Sequence, residues 1–483
     1  IGSLTLVDTF GLSMFVAKYD VLGNAIWANS AGGIPNFLFS PRSDIATDPM
    51  GNVFVIGTHN PPSITFGTFT LPNYGMHIVK YNAAGTVLWA KGVENVLATS
   101  AATDASGNVF VTGYFFSPNA TFGAFTLTNT DTSVFLADIF VVKYDAAGNV
   151  IWAKSEGSFG EEEVPFIATD SFGNVYVTGA FGYTNTLNIG NLTLTNTDSA
   201  GYDIFIVKYD AAGNVLWAKS AGGEGSSDYT FGIACDASGN IYLTGEYYSP
   251  SITFGTTTLY NTDTSSTGVN FESFIVKYDA SGNMQWAHGI GGTSWDFGYD
   301  IVTDVSGNIY VTGLYADSVT FGATTLSNVN PGAFNIFIAK YNTVGNVLWA
   351  KAAGGSGNYY VQGIAIDAVG NIFITGSYIS PSMIFGQDTL TNPGIYKMYI
   401  AKLGTANVGV EENNPTKNIS IYPNPSSDIF TFSERIKTVE VYTLLGELIL
   451  TDNNTNQINL QDYPKGMYVA LINAEQVNKL VKE

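Results

Sequence analysis

The chain has 483 residues, 45% of them hydrophobic, with 53 Gly, 28 Tyr and 31 Phe against only 12% charged residues, a balance that fits many short strands joined by tight turns. Its 40 acidic and 19 basic residues leave a formal net charge of -21, which repels phosphate backbones and anionic membrane surfaces and argues against nucleic acid as a partner. A single cysteine, Cys235, excludes an intrachain disulfide and a thiolate metal cluster, and no apolar run reaches the roughly 18 residues of a membrane-spanning helix.

Ile1 to Asp20 lacks a basic start followed by an apolar core, so any signal peptide is removed or left out. From Phe15 onward two patterns alternate. The first, F-[IV]-[AV]-K-Y-[DN]-x-x-G-N-x-x-W-A, is clearest at Phe140 to Ala153 and Phe205 to Ala218, and its tryptophans are Trp27, Trp89, Trp152, Trp217, Trp286 and Trp349. The second, D-x-x-G-N-[VI]-[FY]-[VIL]-[TI]-G, starts at Asp48, Asp104, Asp170, Asp236, Asp304 and Asp367. Six copies of each define a repeat of roughly 63 residues. Both patterns predict a β-hairpin, because a β-prone run enters an Asp-x-x-Gly-Asn turn and another leaves it; the Asp accepts from turn amides and the Gly supplies the positive φ.

Nine residues separate Lys18 from Trp27 and each later lysine from its tryptophan, through Lys340 and Trp349; nine again separate Asp48 from Gly57 and each later pair. The connectors vary instead, with 23 residues from Gly57 to Lys80 but 32 from Gly245 to Lys277. Two hairpins per repeat predict a four-stranded blade, and the fold class is all-β, a propeller. The constant turns fall on one rim and the variable connectors on the other, which is the binding candidate. The lysine-bearing strand occurs seven times, from Phe15 to Tyr19 through Tyr399 to Leu403, and the other elements six times. Six blades close if residue 1 is the true mature end, seven if sequence precedes it; the mid-repeat start at Gly2-Ser-Leu-Thr-Leu, similar to Gly123-Ala-Phe-Thr-Leu, favours seven.

Ile206-Val-Lys-Tyr-Asp-Ala-Ala-Gly-Asn-Val-Leu-Trp-Ala-Lys219, followed by Ile233-Ala-Cys-Asp-Ala-Ser-Gly-Asn-Ile-Tyr-Leu-Thr-Gly245, resembles the SBBP family of bacterial β-propeller repeats, and the resemblance covers residues 1–403. One departure is an insertion after each Thr-Gly, carrying Phe-Gly-x-x-x-Leu as in Phe66 to Leu71 and Phe122 to Leu127, which predicts an additional hairpin or flap per blade.

Residues 404–418 read as a linker. Residues 419–483 carry new alternating runs, Ile419 to Phe432, Val439 to Leu450, Ile458 to Leu460, Pro464 to Ile472 and Lys479 to Lys482, which predict a small Ig-like β-sandwich of about seven strands. Their ordered motifs, Tyr422-Pro423-Asn424-Pro425, Leu445-Gly446-Glu447, Pro464-Lys465-Gly466-Met467-Tyr468 and the lysines Lys479 and Lys482, resemble the type A C-terminal sorting domain of the type IX secretion system. Ser427-Asp428 departs from the glycine that the family often has there. The resemblance implies passage through the periplasm to the extracellular side or outer-membrane surface of a Gram-negative bacterium, with the translocon and a sortase as partners.

No motif for catalysis is visible: His59, His77 and His288 are scattered without a His-Glu-x-x-His spacing. The Asp-x-x-Gly-Asn turns superficially resemble calcium loops but lack the further acidic positions, so they are taken as turns; no cofactor is expected, Ca2+ being the one ion they would suit. The repeated tryptophans suit packing between blades, and 11 of the 13 basic residues before the linker occupy the two repeated lysine positions. Phe37, Phe159, Tyr229, Trp295, Tyr359 and Tyr360 lie in equivalent connectors and form the candidate ligand face for a glycan or a surface protein. The function expected is that of an exported, non-enzymatic adhesin, binding or envelope-structural protein. The alternative is a polysaccharide hydrolase or lyase with carboxylates gathered around the channel.

Overall fold

A computed structural model describes residues 4–6, 13–32, 43–59, 63–72, 74–130, 136–157, 161–183, 186–198, 200–262, 270–292, 294–328, 330, 332–355, 357–392, 396–404, 421–443, 448–472 and 476–482. Among them are strands and turns but no helix, and the chain separates into two compact units, Ile1–Thr405 and Ala406–Glu483.

In the first unit the third blade shows the plan. Its strands Val96–Thr103, Val109–Phe115, Asp138–Tyr144 and Val150–Glu156 pair antiparallel in chain order. The first strands of successive blades touch one another around the axis, the second and third are buried on both faces, and the fourth is partly exposed at the outside. Blades 2, 4, 5 and 6 repeat the plan. Blade 1 contributes Ser13–Tyr19 and Ala25–Gly32, which match third and fourth strands, and blade 7 contributes Tyr359–Ile366, Ile372–Tyr378 and Lys397–Leu403, which match the first three.

The sequence motifs acquire their physical reasons here. In the turn at Asp104, Oδ1 accepts from the Ser106 and Asn108 amides, each at 3.0 Å, and Oδ2 from Asn108 Nδ2 at 2.7 Å, while Gly107 sits at φ 77°. Both carboxylate oxygens are thus committed to the turn. The Thr-Gly pair inside the second strand of blade 3 answers a bulge in its pairing with the first: a side chain at Gly113 would strike the Leu97 carbonyl, and Thr112 Oγ1 donates to Phe140 O at 2.8 Å.

Lysine and tryptophan of blades 1 to 5 latch each of them to the next on the constant rim. Lys80 Nζ and Trp89 Nε1 both donate to Ala146 O, at 3.1 and 3.2 Å, and Lys143 Nζ and Trp152 Nε1 both donate to Ala211 O, at 3.4 and 3.2 Å. The same lysines pair with the turn aspartate of their own blade, Lys80 with Asp48 at 3.6 Å and Lys143 with Asp104 at 3.4 Å. Lys402 Nζ of blade 7 donates to Val21 O of blade 1 at 3.0 Å, and Val21 holds the turn position of Ala146. Among the described residues, strands of seven blades are therefore present, the first and last pieces being neighbours and not parts of one sheet.

Nearer the axis, Thr103 Oγ1 donates to Thr47 O at 2.7 Å, Thr169 Oγ1 to Thr103 O at 2.8 Å and Thr303 Oγ1 to Cys235 O at 2.8 Å. The insertions form hairpins such as Asn119–Phe122 with Phe125–Thr128 and Ser251–Phe254 with Thr257–Tyr260. They are clasps, not free flaps, because their apolar residues Ala120, Phe122, Ile252 and Phe254 are buried and their first strands bridge to the preceding blade, as at Gly222 with Thr253 and Gly291 with Thr320.

In the second unit five strands, Ile421–Tyr422, Ile429–Thr443, Leu448–Asn459, Gly466–Ile472 and Gln476–Lys482, surround a core of Phe430, Phe432, Ile436, Val439, Val441, Ile458, Leu460 and Leu480. About seven were expected. The difference arises because Ile429–Thr443 runs through Ser433 to Lys437 with a register shift instead of a turn, and Ile458 ends a long strand instead of starting a short one.

Candidate functional site

Six inner strands enclose an axial cavity of about 730 Å3, into which Asp44, Asp300, Phe166, Phe231, Tyr299 and Gln362 project among the lining residues. Asp44 Oδ2 accepts from Ser100 Oγ and from the Ala101 amide, each at 2.9 Å, and Asp300 Oδ2 accepts from the Ile364 amide at 2.8 Å. Each channel carboxylate is therefore bonded to the inner strand of the following blade.

Aromatic rings lead from this cavity to the variable rim. Phe231 meets Phe166 at 6.5 Å and Tyr299 at 5.8 Å between ring centroids. On one side it stacks on Tyr229 at 6.3 Å, which continues to Tyr202 at 5.5 Å and Tyr183 at 5.1 Å. On the other, Tyr299 leads to Phe297 at 6.1 Å, then Trp295 at 6.2 Å and Phe271 beside it at 6.1 Å. These spacings fall in the range of favourable aromatic pairs. Both ends of the crescent are open, with Tyr183 59% and Trp295 47% exposed. Tyr183 also has φ 56°, a left-handed conformation costly for a bulky side chain. Trp295 Nε1 donates to Asn270 Oδ1 at 2.7 Å, which orients its ring.

Of the six aromatic residues picked from the sequence, Tyr229 and Trp295 belong to this crescent and Tyr360 is exposed on the same rim. Tyr359 must be withdrawn from the ligand face: it is fully buried, its hydroxyl placed between Ser380 Oγ at 3.0 Å and Ser382 O at 2.8 Å. It starts an inner strand, and alternation along that strand turns Tyr359 inward and Tyr360 out. Phe37 and Phe159 lie outside the described residues. The reading missed Tyr183, Tyr202, Phe231, Phe271 and Phe297, whose only sequence signal is the surplus of aromatic residues near the connectors.

The rim also carries buried acids absent from the sequence reading. Asp203 is the second residue of the third strand of blade 4, Tyr202–Tyr209, and its Oδ2 accepts from the Thr197 amide at 2.7 Å and Thr197 Oγ1 at 2.5 Å. Asp228 begins the first strand of blade 5 and accepts from Ser249 Oγ at 2.6 Å. Burial, opposed by the Ser249 bonds and reinforced by Asp203, pushes the Asp228 carboxyl up to about 8. At the next junction Glu272 accepts from the Thr262 amide and hydroxyl and from Tyr247, and burial raises Asp296 beside it well above the carboxylate range. In blade 2, His59 and His77 stand 5.5 Å apart between ring centroids, and burial, then His59, pushes His77 down to about 3. His288 stacks on Trp286 at 5.1 Å. No group of three or more His, Cys, Asp or Glu able to hold a metal occurs among the described residues.

In the second unit the motif residues at the two ends of its sheet meet. Asn424 Oδ1 accepts from the Val481 amide at 2.9 Å, and the Ser426 amide donates to Val481 O at 2.9 Å. Lys482, buried, donates from Nζ to the carbonyls of Leu460, Gln461 and Tyr463 at 2.7, 3.1 and 2.7 Å and pairs with Asp428 at 3.2 Å. The departure at Asp428 thus supplies a counter-charge. Tyr468 donates to Pro464 O at 2.5 Å, Gly466 opens the strand that holds Tyr468, and Tyr422 is exposed beside Pro423 and Pro425, both preceded by cis peptide bonds. Lys479 lies on the last strand opposite Val469, and Gly446 lies outside the described residues.

A family model described as a secretion system C-terminal sorting domain matches residues 420–483, and the SBBP β-propeller repeat matches residues 216–246 and 348–377. An uncharacterized WD repeat-containing protein of Acanthamoeba polyphaga mimivirus is 27% identical over 80% of this chain and 33% of its own length. The regulatory protein FlaEY of Caulobacter vibrioides is 27% identical over 52% of this chain and 26% of its own. The chain thus spans a third or less of these relatives. Among solved structures, a protein of unknown function from Dyadobacter fermentans aligns over 77% of this chain and 96% of its own with a TM-score of 0.35 and 9% identity. A gluconolactonase from Xanthomonas campestris aligns over 70% and 84% with a TM-score of 0.33 and 9% identity. At those scores neither carries an argument about activity. With the repeats on the blades and the sorting motifs joined in the tail, the chain carries SBBP β-propeller repeats in its first unit and a type IX C-terminal sorting domain in its tail, which supports its export by that secretion system.

Proposed function

We propose that the propeller works at the outer surface of a Gram-negative cell as a non-catalytic binding protein, an adhesin or envelope component, that holds a neutral or cationic glycan on its aromatic crescent. The observation that carries this reading is the continuous run of rings from the axial cavity to the exposed Tyr183 and Trp295. Such rings offer flat apolar faces to sugar rings, while hydroxyl and amide groups nearby fix orientation. A net charge of -21 disfavours anionic polysaccharides. The backbone bonds of Asp44 and Asp300 support a structural role for the channel carboxylates over glycoside hydrolysis. The tail would meet the translocon and then a sortase, which releases the propeller at the preceding linker.

The test is a glycan array probed with the full chain and with Trp295→Ala and Tyr183→Ala, using Val305→Ala on the constant rim as control. Each crescent variant should weaken a neutral-glycan signal at least tenfold while the control retains it. Unchanged binding in both crescent variants, or capture of protein ligands alone, overturns the reading.

A further inference from the structure

The junction between blades 4 and 5 on the variable rim holds a cavity of about 750 Å3. It is lined by the end of the fourth strand of blade 4, Ser220 to Gly223, and by the clasp hairpin of blade 5 around Ser251 and Thr253, with Asp203 and Glu224 facing it. The donors around it are carboxylates, hydroxyls and backbone, and no basic side chain lines it. Asp203 is 1% exposed, yet its Oδ1 has no hydrogen-bond partner; Asp228 is wholly buried next to it and its Oδ2 has none either, although the Gly223 amide approaches it. Gly222 is what admits the carboxylate, since any side chain there would collide with Asp203.

The fold does not require this pair of acids. At the junction of blades 6 and 7 the same two positions are Asn335 and Tyr359, and the Tyr359 hydroxyl meets Ser380 where Asp228 meets Ser249. At the junction of blades 5 and 6 the acids recur, but both oxygens of Glu272 are taken by Thr262 and Tyr247. Among the described residues, the junction of blades 4 and 5 holds two neighbouring buried carboxylates that each keep an open oxygen, with Asp203 lining the cavity and Asp228 behind it.

We infer that this junction is a divalent-cation site for a hard, oxygen-seeking ion such as Ca2+, with Asp203 and Asp228 as its carboxylate ligands. Serine and threonine hydroxyls, backbone carbonyls and water complete a shell of the size that calcium takes. The ion joins the third strand of one blade to the first strand of the next, and it supplies the positive charge that two buried like charges lack. This site is distinct from the Asp-x-x-Gly-Asn turns, whose oxygens are filled, and independent of what the crescent binds.

The experiment is calorimetric titration of the chelator-stripped full chain with CaCl2, alongside thermal unfolding with and without the ion. One saturable site and an upward shift of the melting temperature are expected. Asp228→Asn and Asp203→Asn, which keep shape and remove charge, should each weaken binding at least tenfold, whereas Asp296→Asn at the neighbouring junction should leave it unchanged. Circular dichroism establishes that each variant is folded. Absence of saturable binding to the parent chain, or equal affinity in either folded Asp203 or Asp228 variant, overturns the proposal.

Discussion

Lys143 and Trp152 share one acceptor, Ala211 O, and this predicts how their losses combine. Trp152→Phe removes one neutral hydrogen bond and part of a buried ring, a cost of about 1 to 2 kcal/mol. Lys143→Met removes a buried ion pair to Asp104 at 3.4 Å, a cation resting 4.7 Å from the Phe110 ring centroid and one hydrogen bond. Asp104 keeps its turn amides, which holds this cost to about 3 kcal/mol, the low end for a broken buried pair. In either single variant Ala211 O retains one donor. Only the double variant leaves it bare, so the pair should cost about 1 kcal/mol more than the sum of the singles, the smaller end of the range for an orphaned acceptor because Ala211 sits on an exposed turn. Urea unfolding of the full chain followed by far-ultraviolet circular dichroism measures all four corners of the cycle. Additive losses, or a double variant milder than the sum, would refute the shared-acceptor reasoning.

Cys235 occupies the axial position that is threonine at Thr47, Thr103, Thr169 and Thr303, so Cys235→Thr should add the missing bond to Thr169 O and raise stability by about 0.5 to 1 kcal/mol, read from the urea midpoint. Conversely, Thr303→Val should cost about 1 kcal/mol in the same measurement by removing its bond to Cys235 O. His77 is held near 3 in the folded chain against 6.5 when unfolded; its contribution is complete above pH 6.5 and lost as pH falls toward 3, because the unfolded chain takes up the proton first. His77→Phe, which restores the residue found at Phe140, Phe205, Phe274 and Phe337, should therefore lose less stability than the parent between pH 7 and pH 4; parallel pH profiles would contradict this. Lys482→Met should leave three carbonyls and Asp428 without their donor and destabilise the tail by about 3 kcal/mol, visible as faster proteolysis of residues 421–482 in the full chain with the propeller unaffected.

What the sequence disclosed depended on repetition. Lys80, Trp89 and the Asp48 turn recur at fixed spacing because their counterparts make the same bonds in successive blades, so the hairpins, the constant rim and the packing of tryptophan between blades were legible. The crescent was not, since Tyr183, Phe231, Trp295 and Phe297 come from different strands and connectors and meet only after the inner strands converge on the axis. Asp203 and Asp228 were hidden for the same reason, lying 25 residues apart on different blades. In the tail, Ser433-Glu434-Arg435 looks like a break, yet the strand bends through it with a register shift; a bulge and a turn have similar polar composition.

The latches of the constant rim all point the same way, from the lysine and tryptophan of one blade to the turn carbonyl of the next, and the bond from Lys402 to Val21 keeps that sense across the closing seam. A gene encoding such a ring can gain or lose one whole repeat by recombination between its copies and still match the latch donors of the constant rim to acceptors. Blade number is then an easily inherited variable, while the turn chemistry is not. One genetic event then changes the diameter of the axial cavity while the latches of the constant rim keep their chemistry.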